Sequence, residues 1–195
     1  MDRATHRRLA AARFPVIKTL ETFDWSWPKQ INQLEVRDLF RLQFIKEHQN
    51  VIFLGGCGLG KSHLAAALGH EACLKGYRVL FTSIAELINH LLAAQTEHRL
   101  KTEIKKILRP ELLILDELGY IPLDKHGADL LFQVISQRYE RGSIILTSNK
   151  AYKDWPGVFN NDNTVTSAIL DRLLHHCQTV TITGSSYRMG KKIQD

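Results

Sequence analysis

The sequence predicts an α/β fold, a parallel five-stranded sheet covered by helices on both faces. Three observations carry this. Residues 55–62, Gly-Gly-Cys-Gly-Leu-Gly-Lys-Ser, form a complete G-x-x-x-x-G-K-[ST] phosphate-binding loop. An apolar run precedes it and an Ala- and Leu-rich stretch follows, the strand–turn–helix context that this motif needs. Short apolar runs then alternate with helix-like segments, as in a sheet buried on both sides. The third run ends in Asp116-Glu117, at the sheet edge where right-handed crossovers also put the phosphate loop.

The elements follow in order. Residues 1–13 read as a basic helix carrying Arg3, Arg7, Arg8 and Arg13, interrupted at Phe14-Pro15. Residues 19–28 form an aromatic-rich connector. Residues 34–48 read as one amphipathic helix with Leu34, Leu39, Phe40, Leu42 and Ile45 as its apolar positions. Residues 50–54 are the first strand, and the helix after the loop stops near Gly76. Residues 78–82 are the second strand. Ser83 and Glu86 then make a capping box for a helix through Leu87, Ile88, Leu91 and Leu92. A helical stretch over 97–108 ends before Pro110. Residues 112–116 are the third strand, 126–140 a helix and 143–148 the fourth strand. Residues 151–163 read as a polar loop. A helix at 165–176 leads into the fifth strand, 179–183, and a basic tail, 184–195.

Composition narrows the class. The chain has 195 residues, enough for one well-cored domain. A net charge of +6 favours an acidic partner, of which nucleic acid is the commonest. No apolar stretch approaches a membrane span, and no secretory signal or organelle transit peptide is evident. Cys57, Cys73 and Cys177 lack metal-ligand or redox spacing, which fits a reducing cytoplasm. His175-His176-Cys177 has no second ligand pair at suitable spacing, so no metal site is expected there.

The chemistry centres on the loop. Gly55, Gly58 and Gly60 let successive N–H groups turn inward on a polyphosphate at a helix N-terminus. Lys61 supplies charge to the β- and γ-phosphates, and the Ser62 hydroxyl can ligate Mg²⁺. The nucleotide-binding set is Gly55, Gly56, Cys57, Gly58, Leu59, Gly60, Lys61, Ser62 and His63, with Asp116. An apolar strand ending in Asp-Glu gives Asp116 the metal and leaves Glu117 to polarise an attacking water, which points to ATP hydrolysis rather than transfer to a metabolite. Asn149 ends the fourth strand, where a polar side chain can sense the γ-phosphate. Arg172 lies on the helix after that strand, suited either to a neighbouring subunit's ATP or to an ion pair within the chain. Trp25 and Trp27 are candidates for stacking on adenine or bases, or for a core. Arg99, Lys101, Lys105 and Lys106 are the candidate DNA contacts. Glu97, Glu103 and Glu111 are interspersed among them, so a solvated helix face fits as well.

Taken in order, these motifs resemble the IstB-like AAA+ ATPases, helper proteins of insertion-sequence transposition related to DnaC-type helicase loaders and DnaA-type initiators. The strings carrying the likeness are Leu-Leu-Ile-Leu-Asp-Glu-Leu-Gly-Tyr (112–120), Leu-Thr-Ser-Asn (146–149), Ala-Ile-Leu-Asp-Arg-Leu-Leu-His-His (168–176) and Ser-Tyr-Arg (186–188). Arg13-Phe14-Pro15 and Lys18–Asp24 add to it. The resemblance covers about residues 3–190. It implies a three-layer αβα sandwich with strand order 5-1-4-3-2 and no separate lid domain. Residues 31–184 would be the ATPase domain, residues 1–30 the remnant of a longer N-terminal region and residues 185–195 a basic tail. The helices at 84–108 would include the initiator-type insertion that lines a DNA channel in oligomers, and Arg172 would be the finger acting in trans. ATP and Mg²⁺ are the implied cofactors. The implied partners are double-stranded DNA, further copies of the chain and a transposase, or a replicative helicase if the chain is a loader. A small-molecule kinase would share the loop, but Glu117, Asn149 and Arg172 argue against it. The loop departs from the family's usual Pro-Pro and Thr while keeping the Gly, Lys and hydroxyl positions. Family members usually carry a further N-terminal helical domain, and this chain begins near its end. Arg188 is a candidate second sensor.

Overall fold

The computed structural model of the protein describes residues 2–187, so Arg188 and most of the basic tail lie outside the described residues. The strands are β1 (Asn50–Gly55), β2 (Val79–Ser83), β3 (Leu112–Leu118), β4 (Ser143–Ser148) and β5 (Cys177–Ile182). All pair in parallel, in the order β2-β3-β4-β1-β5, which is the expected 5-1-4-3-2. The helices are α1 (Arg3–Ala12), α2 (Gln33–Leu39), α3 (Gln43–Lys46), α4 (Lys61–Leu74), α5 (Ile84–Thr96), α6 (Leu100–Leu108), α7 (Lys125–Arg138) and α8 (Asn163–Leu174).

Strand alternation divides the core into two layers. Val51, Phe53, Leu112 and Ile114 face one layer, shared with Ala12, Val36, Leu64 and Leu68 of α1, α2 and α4. Ile52, Leu54, Leu113 and Leu115 face the other, shared with Leu91, Leu131 and Ile169 of α5, α7 and α8. The sheet is thus the middle of three layers. No helix among the described residues is long and apolar enough to cross a membrane.

Two segments differ from the sequence expectation. The single helix over 34–48 is two short ones, α2 and α3, with Leu42 between them at φ 59°. N–H groups of Phe40, Arg41 and Leu42 close that turn on Arg37, Asp38 and Leu39 carbonyls. The turn lets Phe44 and Ile45 bury in the same layer as Val36 and Leu39. Leu34, assigned to the apolar face, is 81% exposed. The second difference lies in the stretch expected to be a polar loop. It contains a 3₁₀ helix, Tyr152–Gly157. Trp155 and Phe159 there are wholly buried, and the Trp155 indole donates to the Lys150 carbonyl at 3.2 Å. Abundant Asn and Asp in the segment masked three large apolar side chains, Trp155, Val158 and Phe159, that anchor it. Two helices also begin earlier than expected, because Asp124 and Asp162 cap α7 and α8 from their side chains.

Candidate functional site

The phosphate loop connects β1 to α4. Gly60 occupies the N-cap of α4 at φ 85°, left-handed backbone that suits glycine. A Cβ there would lie 2.5 Å from the Phe23 ring. Phe23 therefore lies directly on the loop and brings the N-terminal connector with it. Lys61 is 4% exposed, and its ammonium donates to the Gly56 carbonyl at 2.7 Å. Leu59 is buried and anchors the loop to the core, whereas Cys57 is exposed at its tip. The Ser62 hydroxyl donates to Asp116 Oδ1 at 2.8 Å, which joins loop and third strand.

The end of β3 carries the second half of the site. In a regular strand, consecutive side chains point to opposite faces, so Asp116 and Glu117 could not serve one cavity. The pairing of β3 with β4 shifts between Leu115 and Leu118. Leu115 pairs with Leu146 and Leu118 with Ser148, leaving two residues, Asp116 and Glu117, opposite one, Thr147. This is a β-bulge, a device that re-aims side chains. Glu117 takes the left-handed conformation, φ 68°, which costs a non-glycine residue about 1–2 kcal/mol. Its N–H donates to Thr147 Oγ1 at 2.9 Å, and the Thr147 hydroxyl donates to Asp116 Oδ1. Both acids consequently line the same cavity, Asp116 buried and Glu117 exposed.

That cavity has a volume of about 600 Å³, within the range of small-molecule sites. The loop forms one wall and the connector from Pro15 to Pro28 forms the other. His63 lines it and reaches toward the connector, with Nε2 2.9 Å from the Thr19 carbonyl oxygen. Its ring also stands edge-on to Phe23. Burial lowers the His63 pKa, against the raising effect of the Thr19 bond. Trp27 lines the mouth edge-on to Tyr187, with its indole donating to the Ser185 carbonyl at 2.9 Å. Trp25 instead packs on Phe23 beneath the Arg37 guanidinium, away from the cavity. Burial, then a hydrogen bond to Cys57, holds the Tyr120 phenol above its usual pKa.

The residues present fit the implied groups. Ser62 and Asp116 bring a hydroxyl and a carboxylate oxygen to 2.8 Å of one another, a hard-oxygen pair suited to magnesium. Lys61 and the loop amides are the donors that a triphosphate needs. Asn149 lies at the end of β4 and does not line the cavity. Its Oδ1 is buried without a hydrogen-bond partner among the described residues, so it retains an unused acceptor.

The family described as IstB-like ATP binding protein matches residues 1–195. The chain belongs to this family. It is 46% identical over 191 residues to the ATP-binding protein of insertion sequence IS21 from Pseudomonas aeruginosa, covering 98% of this chain and 72% of that one. Its fold is that of the AAA+ domains of initiators and loaders. The DnaC helicase loader aligns at a TM-score of 0.68 and 24% identity, over 91% of this chain and 99% of that one. The replication initiator DnaA bound to AMPPCP and single-stranded DNA aligns at a TM-score of 0.69 and 22% identity, over 90% and 54%.

The remaining expected residues of this IstB-like chain lie away from the cavity. Arg172 is on the last turn of α8, where Nη1 donates to the Ala168 carbonyl at 2.8 Å and the guanidinium lies 5.0 Å from the Phe132 ring centre. The contacts seen for it are thus a carbonyl and an aromatic face rather than Asp171. The four candidate DNA cations divide into two pairs. Arg99 bonds Glu97 and Glu103, and Lys106 bonds Glu103 at 2.8 Å. Lys101 and Lys105 face solvent. At the other edge of the sheet, Glu140 joins His175 and His176, which the sequence left without a partner. All three are exposed, and His175 Nδ1 already meets the Tyr139 hydroxyl at 2.6 Å. Thr147 is the site residue that sequence reasoning missed. Its position opposite consecutive acids was the available signal, and it required knowing the register.

Proposed function

We propose that the protein is a magnesium-dependent ATPase that assembles on double-stranded DNA and assists a transposase, which stimulates hydrolysis. The observation that carries this reading is the pair of consecutive acids turned onto one cavity with the phosphate loop, in a chain of the insertion-sequence ATP-binding family. Lys61 and the loop amides hold the β- and γ-phosphates, and Ser62 and Asp116 hold magnesium. A magnesium ion there would offset the charge that builds on the phosphates. Glu117 would accept a hydrogen bond from the attacking water, and Asn149, next to the end of β4, would serve as the γ-phosphate sensor. Arg172 completes the site of a neighbouring copy, where its positive charge acts on the transition state. Lys101 and Lys105 contribute phosphate contacts without base specificity. The protein works in the cytoplasm.

The test is ATP hydrolysis with and without duplex DNA, with assembly size followed by light scattering in the same samples. Turnover should rise with DNA, and assemblies should form only with ATP and magnesium. ATP binding with neither response would defeat the DNA-assembly reading. A second reading, a replicative helicase loader, draws support from the near-complete overlap with the DnaC loader, 99% of that chain. It predicts stimulation by a replicative helicase rather than by a transposase.

A further inference from the structure

The Thr147 side chain stands opposite the bulge at the end of β3, and its single hydroxyl serves both acids. We propose that Thr147 is the positioning residue for Glu117: its hydroxyl closes the bulge and thereby holds the Glu117 carboxylate at the nucleotide cavity. This deepens the ATP-hydrolysis reading above and rests on it.

The bulge creates a specific need. Its extra residue is left out of the regular ladder, so the Glu117 N–H needs an acceptor, since an orphaned main-chain donor beside a core is unfavourable. Thr147 is 0% exposed and meets that need at 2.9 Å. The same oxygen carries one hydrogen, which goes to Asp116 Oδ1. A hydroxyl can accept and donate at once, and both capacities are used. Backbone conformation and acid placement are thereby fixed together. Glu117 is held at φ 68° by an acceptor that is itself oriented by Asp116. The same Asp116 Oδ1 also accepts from the Ser62 hydroxyl of the phosphate loop. The result is one continuous path, Ser62–Asp116–Thr147–Glu117, from the phosphate loop to the water-activating carboxylate. Remove the hydroxyl and the bulge keeps only its far end, where the Ser148 hydroxyl donates to the Leu118 carbonyl at 2.9 Å, while the Glu117 N–H loses its acceptor. Residue 117 is then free to relax toward extended backbone, which turns its side chain toward the face opposite residue 116.

The neighbours show why a threonine is suited to this. Its position in a fully buried strand suits a β-branched, half-apolar side chain. Valine has that shape without the hydroxyl. Serine has the hydroxyl without the methyl. The two substitutions separate packing from positioning.

Three variants are compared: Thr147→Val, Thr147→Ser and Glu117→Gln. Each is assayed for kcat and KM with ATP and magnesium, for affinity toward a non-hydrolysable ATP analogue, and for Tm. The expected result for Thr147→Val is a loss of kcat of about tenfold or more, the scale of a misplaced catalytic group. KM and analogue affinity should stay within about threefold, because the loop is untouched and Ser62 still donates to Asp116 Oδ1. Thr147→Ser should recover most of the turnover. In a Glu117→Gln background, Thr147→Val should cost nothing more. A crystal structure of Thr147→Val should show φ at residue 117 turned negative. A lower Tm with full kcat would overturn the proposal and leave Thr147 a packing residue. So would a Thr147→Ser variant as slow as Thr147→Val. If Thr147→Val does not fold, Thr147→Ala carries the same comparison against Thr147→Ser. Glu117→Gln with normal turnover would instead defeat the underlying hydrolysis reading, which keeps the two failures apart.

Discussion

Arg138 shows how much one side chain can hold. It sits in the last turn of α7, 2% exposed, and donates to the carbonyls of Leu108, Pro110, Glu111 and Ser143. Those carbonyls belong to the end of α6, the approach to β3 and the start of β4, so one guanidinium gathers three elements at the sheet edge opposite the nucleotide cavity. Burial pulls its pKa down to about 10, with the Glu111 charge opposing, so it stays charged at neutral pH. Arg138→Met keeps the length and apolar stem but orphans the carbonyls, and bonds to a charged donor are worth about 1.5–3 kcal/mol each before water is readmitted. Urea unfolding should show a loss of about 3 kcal/mol. A midpoint shift too small to measure would mean that water satisfies the carbonyls equally well. Nothing in the sequence marked this arginine, which read as one more cation at the end of a helix. The loop residues were legible for the opposite reason. Gly55–Ser62 act through backbone geometry and local spacing, and both are written in consecutive residues. Thr147 and Arg138 act across strands, and their roles appear only with the register.

At the scale of the elements, α5 and α6 form a pair clamped by one acid. Glu103 is buried within α6, with its side chain 7% exposed, and receives Arg99, Lys106 and His90, the last from α5. Its bond to Lys106 first, then that to His90, lowers its pKa below the ordinary 4.5. A carboxylate with a lowered folded pKa stabilises fully above its unfolded value and loses that contribution as pH falls through the folded value. The α5–α6 clamp should therefore be present at neutral pH and dissolve below about 4.5. Glu103→Gln should remove this acid-sensitive step from a Tm-against-pH curve and lower Tm at pH 7 by a few degrees. The same change has the opposite sign for DNA. Lys106 is released while Arg99 keeps Glu97, so duplex binding should tighten and its log–log salt slope should steepen by up to about 1, one per added phosphate contact. An unchanged slope would remove Lys106 from the DNA surface. The sequence showed the cations and the interspersed acids but not which acid was turned inward. It also missed the break between α2 and α3, because Leu34 and Leu42 kept a helical apolar spacing across a turn. The strands were legible because fully apolar runs such as Leu112–Leu115 tolerate no other burial pattern, and sheet order came with the family likeness rather than from any one strand.

For the whole molecule, the placement of Arg172 is the informative fact. Phosphate loop, bulged acids and connector meet on one cavity, yet Arg172 lies on α8 against Phe132 and the Ala168 carbonyl, outside that cavity's lining. On the proposed reading Glu117 serves its own chain's nucleotide and Arg172 a neighbour's, so the two residues can be separated genetically. Arg172→Ala should bind ATP normally and lose turnover by about 10³-fold, the scale of a missing finger. Glu117→Gln should bind ATP and remain assembled on DNA without turnover. Neither variant has activity alone, but in a mixed assembly some sites join an intact Glu117 from the Arg172→Ala chain to an intact Arg172 from the Glu117→Gln chain. For random pairing at equal amounts, about a quarter of the interfaces have this composition, so turnover should return to roughly a quarter of wild type. Recovery must also depend on protein concentration, since it requires two chains, and must disappear when dilution disperses the assemblies. No recovery in mixtures that do co-assemble by light scattering would assign Arg172 to α8 packing and would leave the trans-acting charge to be found elsewhere.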